Sequence, residues 1–144
     1  MKKHLLLTLS FILSLLLCLG ALTACSGGVT REETQEAMAS LLTALDTESY
    51  AEAASLYHPG AAMTADLLAA FCEQVKTQVG IDLTDGAAVE KITGISSSYY
   101  DSTVGGSRYQ LTAVIKAADK TATLTVEVIR NNAGYGIFHV ECYP

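Results

Sequence analysis

Tyr109-Gln110-Leu111-Thr112-Ala113-Val114-Ile115-Lys116-Ala117-Ala118-Asp119-Lys120-Thr121-Ala122-Thr123-Leu124-Thr125-Val126-Glu127-Val128 decides how this chain folds. Tyr109, Leu111, Ala113 and Ile115 alternate on one parity. Ala122, Leu124, Val126 and Val128 do the same against Thr121, Thr123, Thr125 and Glu127. Side chains of a strand point alternately to its two faces, so each run predicts a strand with one apolar face. Ala118-Asp119 is the turn between them.

The pattern extends in both directions. Gly105-Gly106 reads as a hairpin turn, and Asn131 to Gly134 as the next one, leading into a strand from Tyr135 to Tyr143. Val89 to Tyr100 is also strand-like, but Ile92 and Ile95 fall on opposite parities. A bulge near Gly94 reconciles them, because a glycine inside a strand often marks one. On the last strand Phe138, Val140 and Cys142 share a parity, as do Tyr135, Ile137, His139, Glu141 and Tyr143.

Upstream of Asp85-Gly86 the period changes from two to that of a helix. Thr30 with Glu33 forms a capping box, followed by Ala37, Met38, Leu41, Leu42 and Leu45 at helical spacing. Asp46 or Thr47 is the expected cap of a second helix reaching Tyr57, which His58-Pro59-Gly60 stops. Thr64 opens a third, with Leu67, Leu68, Phe71, Cys72, Val75 and Val79 as its apolar stripe and Gly80 as its stop. The expected fold is α+β: three N-terminal helices packed on one side of a curved, four-stranded antiparallel meander, in a single domain over residues 30–144.

Two segments resemble a known superfamily. Tyr50-Ala51-Glu52-Ala53-Ala54-Ser55-Leu56-Tyr57-His58-Pro59 is similar to the opening helices of small nuclear-transport-factor-two-like proteins. Gly134-Tyr135-Gly136-Ile137-Phe138-His139-Val140-Glu141 is similar to their closing strand. The resemblance implies a cystatin-like cone, with helices in the concavity of a bent sheet. Many members carry a small hairpin between helices two and three where this chain has a short linker. The superfamily's enzymes place an acid or histidine inside the cone; no position here matches such a site residue by residue.

The first residues give an address. Lys2 and Lys3 precede Leu5 to Leu19, apolar except for Thr8, Ser10 and Ser14, and then come Leu22-Thr23-Ala24-Cys25-Ser26-Gly27-Gly28. This order resembles a bacterial lipoprotein signal with its lipobox. It implies cleavage after residue 24, lipid on Cys25 as a thioether, a tether over residues 25–29, and a place on the extracytoplasmic face of the cell membrane. Leu5 to Ala24 is also long enough for a plain transmembrane anchor, and a plain secretory signal is a third reading; the cysteine followed by Ser-Gly-Gly fits the lipoprotein pattern best. One acyl chain holds marginally and two hold firmly.

Without residues 1–24, seven basic residues face 15 acidic ones, a formal charge of −8 against −6 for the whole chain. Such a surface excludes nucleic acid as a partner and disfavours adhesion to anionic headgroups by charge. Eleven carboxylates and one lysine, Lys76, lie between Glu32 and Glu90, which reads as a solvated helical face. Cys18 leaves with the signal and Cys25 takes lipid. Cys72 and Cys142 are then an even pair in an oxidising compartment, expected as a disulfide, with two buried free thiols as the other reading.

Candidate chemistry is sparse. His58 in its Pro-Gly turn reads as a loop histidine or helix C-cap. His139 and Glu141 share a strand face, but a zinc site needs three or four ligands, so no metal is expected. Asp101 is a further titratable candidate. Tyr99, Tyr100 and Tyr109 flank the Gly105-Gly106 turn, where tyrosines suit either a contact surface or a sheet rim. There is no phosphate loop, nucleophile elbow or Cys-x-x-Cys pair, so no cofactor is expected and no catalytic residue is assigned. The leading expectation is a membrane-anchored, non-catalytic binding or interaction module for a protein, cell-wall or small-molecule partner. The alternatives are a ligand-binding or enzymatic domain using a cone pocket, with His139 or Asp101 as base, and a structural homodimer.

Overall fold

The computed structural model describes residues 27–144; the expected signal, Cys18 and Cys25 lie outside them. The elements are α1 (Arg31–Asp46), α2 (Tyr50–Ser55), a 3-10 turn (Pro59–Ala61), α3 (Ala65–Gln78), and strands β1 (Ala88–Asp101), β2 (Gly106–Ala117), β3 (Lys120–Asn131) and β4 (Gly134–Tyr143). The fold is α+β with an antiparallel meander in the order β1-β2-β3-β4. Among the described residues no helix is long and apolar enough to cross a membrane.

The caps act largely where the sequence places them. Thr30 accepts from the Glu33 N–H while Glu33 accepts from the Thr30 N–H, closing the capping box on α1. Thr64 accepts from the Leu67 N–H and starts α3. The second helix is shorter than expected. Glu48 takes a left-handed φ of 54°, so the chain cannot run helically from Asp46 or Thr47, and α2 begins after Ser49. Asp46 instead accepts from the Gly86 N–H at 2.7 Å, tying the end of α1 to the approach to β1.

In the sheet, β2 and β3 pair without interruption from Gly106↔Asn131 to Ala117↔Lys120. Strand β1 slips register between Ile92 and Gly94, the bulge expected near Gly94. Ile92 then opposes Ala113 and Ile95 opposes Leu111, so both isoleucines rejoin the apolar side. A second bulge was not legible. Glu127 pairs with His139 and Val128 with Ile137, which leaves Phe138 as the extra residue. Parity therefore flips at Phe138. Ile137 is buried against the apolar face instead of sitting beside His139, and Phe138 is turned out instead of joining Val140 and Cys142.

Met38, Leu41 and Leu45 from α1, Leu68, Cys72 and Val75 from α3, and Leu111, Ile115, Leu124, Val126, Val128 and Ile137 from the sheet belong to one apolar cluster. α1 touches β1, β2 and β3, while α3 touches α2. Each large aliphatic side chain buried this way contributes about 1.5–3 kcal/mol. The other face of β3 is also covered, by cross-strand polar pairs. Thr112 and Thr125 share a hydroxyl hydrogen bond at 3.0 Å, and Arg108 meets Glu127 at 3.3 Å.

After α2 the chain straightens and joins the edge of β4. The His58 N–H donates to the Ile137 carbonyl at 2.8 Å and the Ile137 N–H to the Leu56 carbonyl at 2.9 Å. This crossing runs directly over Gly136, where a Cβ would lie 2.5 Å from the His58 nitrogen and 2.7 Å from the Tyr57 carbonyl carbon. Gly80, by contrast, is needed for its φ of 84° alone, with open space around it. Gly136→Ala should therefore cost about 3 kcal/mol or more, against about 1–2 kcal/mol for Gly80→Ala. Urea unfolding of the two variants checks the order; equal losses would mean that the crossing over Gly136 is not tight.

Candidate functional site

His58 is 2% exposed and caps the 3-10 turn at its N-terminal side, not a helix C-terminus. Its Nδ1 accepts from the Gly60 N–H at 2.9 Å, so the proton sits on Nε2, which donates to Asn131 Oδ1 at 2.9 Å. Asn131 Oδ1 also accepts from the Ala133 N–H, and its amide donates to the Val104 carbonyl at 2.8 Å. Phe138 closes the ring from one side, edge-on at 6.0 Å. The imidazole thus joins the 3-10 turn to the β1–β2 and β3–β4 hairpins, with both nitrogens occupied.

Arg130 organises a second cluster. Its guanidinium contacts Glu33 Oε1 at 2.6 Å and stacks over Tyr135 at 4.7 Å. It also donates to the carbonyls of Gly27 and Gly28 at 3.5 and 3.4 Å. The Val29 N–H donates to the Ser107 hydroxyl at 2.9 Å, and Val29 is itself buried. Burial raises the Glu33 carboxyl, but the Arg130 hydrogen bond and charge and the Thr30 cap outweigh it and leave the group below its ordinary range. Residues 27–29, the described part of the expected tether, are therefore docked on the domain.

The remaining candidates are placed separately. His139 Nε2 and Glu141 Oε1 are 3.0 Å apart on the outer side of β4, both more than half exposed. Among the described residues no three His, Cys, Asp or Glu side chains are grouped to hold a metal. Asp101 accepts from the Thr103 hydroxyl and N–H and pairs with Arg108; those bonds, the Thr103 ones foremost, hold its carboxyl below the usual range. Tyr99 and Tyr100 stand where β1 slips register between Ser98 and Asp101, and are 81% and 68% exposed.

An open groove of about 400 Å³ runs between α1, the end of α2 and β4, lined by Glu33, Glu36, Ala37, Ser40, Ser55, Leu56 and Tyr135. A second hollow of about 280 Å³ shares Glu36 and Ser40 with it and reaches Glu52. None of the site candidates named from sequence lines either space. Tyr135 and Glu33 do, and the signal available for them was the capping box on one side and the Gly-Tyr-Gly stretch on the other. Compared with family models, curated proteins and solved structures, the chain matches none.

Cys72 and Cys142 are both free thiols in the structure, against the expected bridge. Cys72 is buried on the inner face of α3. Cys142 is half-buried opposite Leu124 on β4. Burial pushes each thiol up to about 11, helped at Cys72 by the charges of Asp82, Glu73 and Glu48. Thiolate is the reactive form, so both should be inert at neutral pH. Titration of a fragment beginning at Ser26 with an aromatic disulfide reagent should find two thiols per chain in urea and neither reacting promptly in the native state. Non-reducing mass measurement showing a Cys72–Cys142 bridge would overturn this.

At the far end of the sheet Lys76 Nζ lies 2.7 Å from Asp82. That ammonium, with the Thr84 hydroxyl and N–H, lowers the Asp82 carboxyl to about 2. A depressed carboxyl adds stability above its unfolded value, near 4, and loses it as pH falls through the folded one. Lys76→Met should therefore be less stable than the parent at about pH 5, and the difference should shrink steadily as pH falls to about 2. Thermal melts across that window check the sign; a difference that grows on acidification would refute it.

Proposed function

We propose that the chain is an extracytoplasmic lipoprotein, held on the membrane through lipid on Cys25, whose domain is a non-catalytic binding module. The three helices and the curved sheet form a cone-like body on this reading, in the manner of the nuclear-transport-factor-two-like proteins it resembles. What supports the cone is α1 lying across three strands and the single apolar cluster shared by helices and sheet.

One observation carries the binding role: the acidic, open groove along α1. Glu36 stands exposed on its wall, Glu52 stands exposed on the adjoining hollow that shares Glu36 and Ser40 with it, and Tyr135, 42% exposed, offers an aromatic surface at one end. The ionisable candidates elsewhere are engaged in structure: His58 in the hairpin junction, Asp101 in the Arg108 pair. An open groove with carboxylates and an exposed aromatic suits a partner that presents positive charge on an extended segment, such as a basic peptide or an amine of cell-wall material.

Two measurements test this. In a bacterial host, the wild type should fractionate with membranes and yield a Cys25 peptide carrying a diacylglyceryl thioether, while Cys25→Ala should be released; an unmodified Cys25 in the membrane-bound protein would overturn the anchor. For the groove, lysine- and arginine-bearing oligopeptides are titrated against neutral ones of equal length. The basic set should bind, and Glu36→Lys with Glu52→Lys should weaken it several-fold, since each rim ion pair contributes about 0.2–1 kcal/mol. Equal binding by the neutral set would remove the groove from consideration.

A further inference from the structure

The lipid-bearing position is tied to one end of the sheet. Gly27 and Gly28 are held by the Arg130 guanidinium, and Val29 by the Ser107 hydroxyl. Cys25 lies two residues before Gly27, so its Cα is within about 7 Å of that docked glycine whatever path the chain takes. A flexible tether would let the domain turn freely above the membrane. This one leaves almost no slack.

The end of the sheet at which the chain is docked is defined by the register. Asp101, Gly106, Asn131 and Gly134 lie in line across the four strands. Tyr99 and Tyr100 are at the same end, and the Tyr99 ring packs beside Gly28, 3.4 Å from where a Cβ would stand. Both tyrosines are mostly exposed. The turns there, Ser102 to Gly105 and Asn132 to Ala133, carry no charged side chain, and the neighbouring Asp101 and Arg130 are each in an ion pair. The opposite end carries Lys76, Asp82, Asp85, Asp119 and Lys120.

We infer that this hairpin end rests on the bilayer, with Tyr99 and Tyr100 in the headgroup layer beside the lipidated cysteine. The inference rests on the anchor reading given above. Tyrosine suits the membrane–water boundary because its ring is apolar and its hydroxyl stays wet. The uncharged turns let the tip approach an anionic surface that the acidic remainder of the domain avoids. Strands of this length place Tyr143 about 30 Å and the Ala118-Asp119 turn about 40 Å further out. The aromatic contact is a second, weak membrane signal that fixes posture where the acyl chains alone fix only attachment.

The chain has no tryptophan, so each of Tyr99→Trp, Tyr100→Trp and Tyr143→Trp provides a single reporter. Full-length lipidated protein is reconstituted in phosphatidylcholine–phosphatidylglycerol vesicles in which the phosphatidylcholine is dibrominated, a short-range quencher of tryptophan. Flotation and the mass of the Cys25 peptide are recorded on the same samples. The expected result is flotation of all three variants, loss of at least half the emission for Tyr99→Trp or Tyr100→Trp, and no loss for Tyr143→Trp. Flotation with lipidated Cys25 but no quenching at either hairpin position, or equal quenching at Tyr143→Trp, overturns the posture and leaves the anchor intact. Failure to float, with unmodified Cys25, overturns the anchor and the posture together.

Discussion

Two backbone hydrogen bonds at the edge of β4 fix the segment after α2 to the sheet, beside the apolar cluster that helices and sheet share. Through them the segment Leu56 to His58 grips Ile137, directly above a glycine that has no room for a Cβ. Everything else in the junction follows from that closeness. Tyr57 is carried under the sheet edge into the core, and His58 is brought within reach of Asn131. The 3-10 turn then packs on β4, and Phe138 is displaced outward to cover the imidazole. The buried polar network costs little because each member is satisfied, and among the described residues no buried side-chain nitrogen or oxygen lacks a partner.

The same contact settles one of the two exposed sheet edges. An unpaired strand edge invites pairing with another chain. On β4 the Leu56–His58 crossing occupies the edge at Ile137. On β1 no element pairs with the outer edge among the described residues, and protection comes from the strand itself. Register breaks between Val89 and Lys91, Ile92 and Gly94, and Ser98 and Asp101 interrupt any long run of free N–H groups. Glu90 and Lys91 add charge along it. An edge so interrupted is poorly shaped for a symmetric strand-to-strand dimer, although Ile95 lies half exposed on it.

The elements governed by local chemistry were legible in the sequence. The Thr30–Glu33 box, the Thr64 cap, the turns and the Gly94 bulge each depend on residues within a few positions of one another. The Phe138 bulge was not legible, because Tyr135, Ile137, Phe138 and Val140 are apolar on both parities and alternation cannot choose between them. What chooses is the crossing over Gly136, made by a segment some 80 residues earlier in the chain. Helix α2 was overestimated for a similar reason: Tyr50, Ala53, Ala54 and Tyr57 fit helical spacing, yet Tyr57 is drawn out of the helix by its bridge to Ile137. The site fared worse than the fold. His139 and Glu141 do meet, but on an open surface, while the Arg130–Glu33 pair joins residues 97 apart and left no pattern to read.

That long-range pair joins the groove to the point where the chain leaves the domain. Glu33 completes the cap of α1, lines the groove and accepts from Arg130. Tyr135 lines the same groove and lies under the same guanidinium. Arg130 in turn holds the carbonyls of Gly27 and Gly28, where the chain leaves towards Cys25. The groove and the exit of the chain are therefore two faces of one cluster. A ligand that drew Glu33 away from the guanidinium would weaken the hold on Gly27 and Gly28, and a rigid exit keeps Tyr135 and Glu33 in the geometry that the groove presents. On the function proposed above, such reciprocal coupling would link attachment through Cys25 to binding in the groove by way of Arg130.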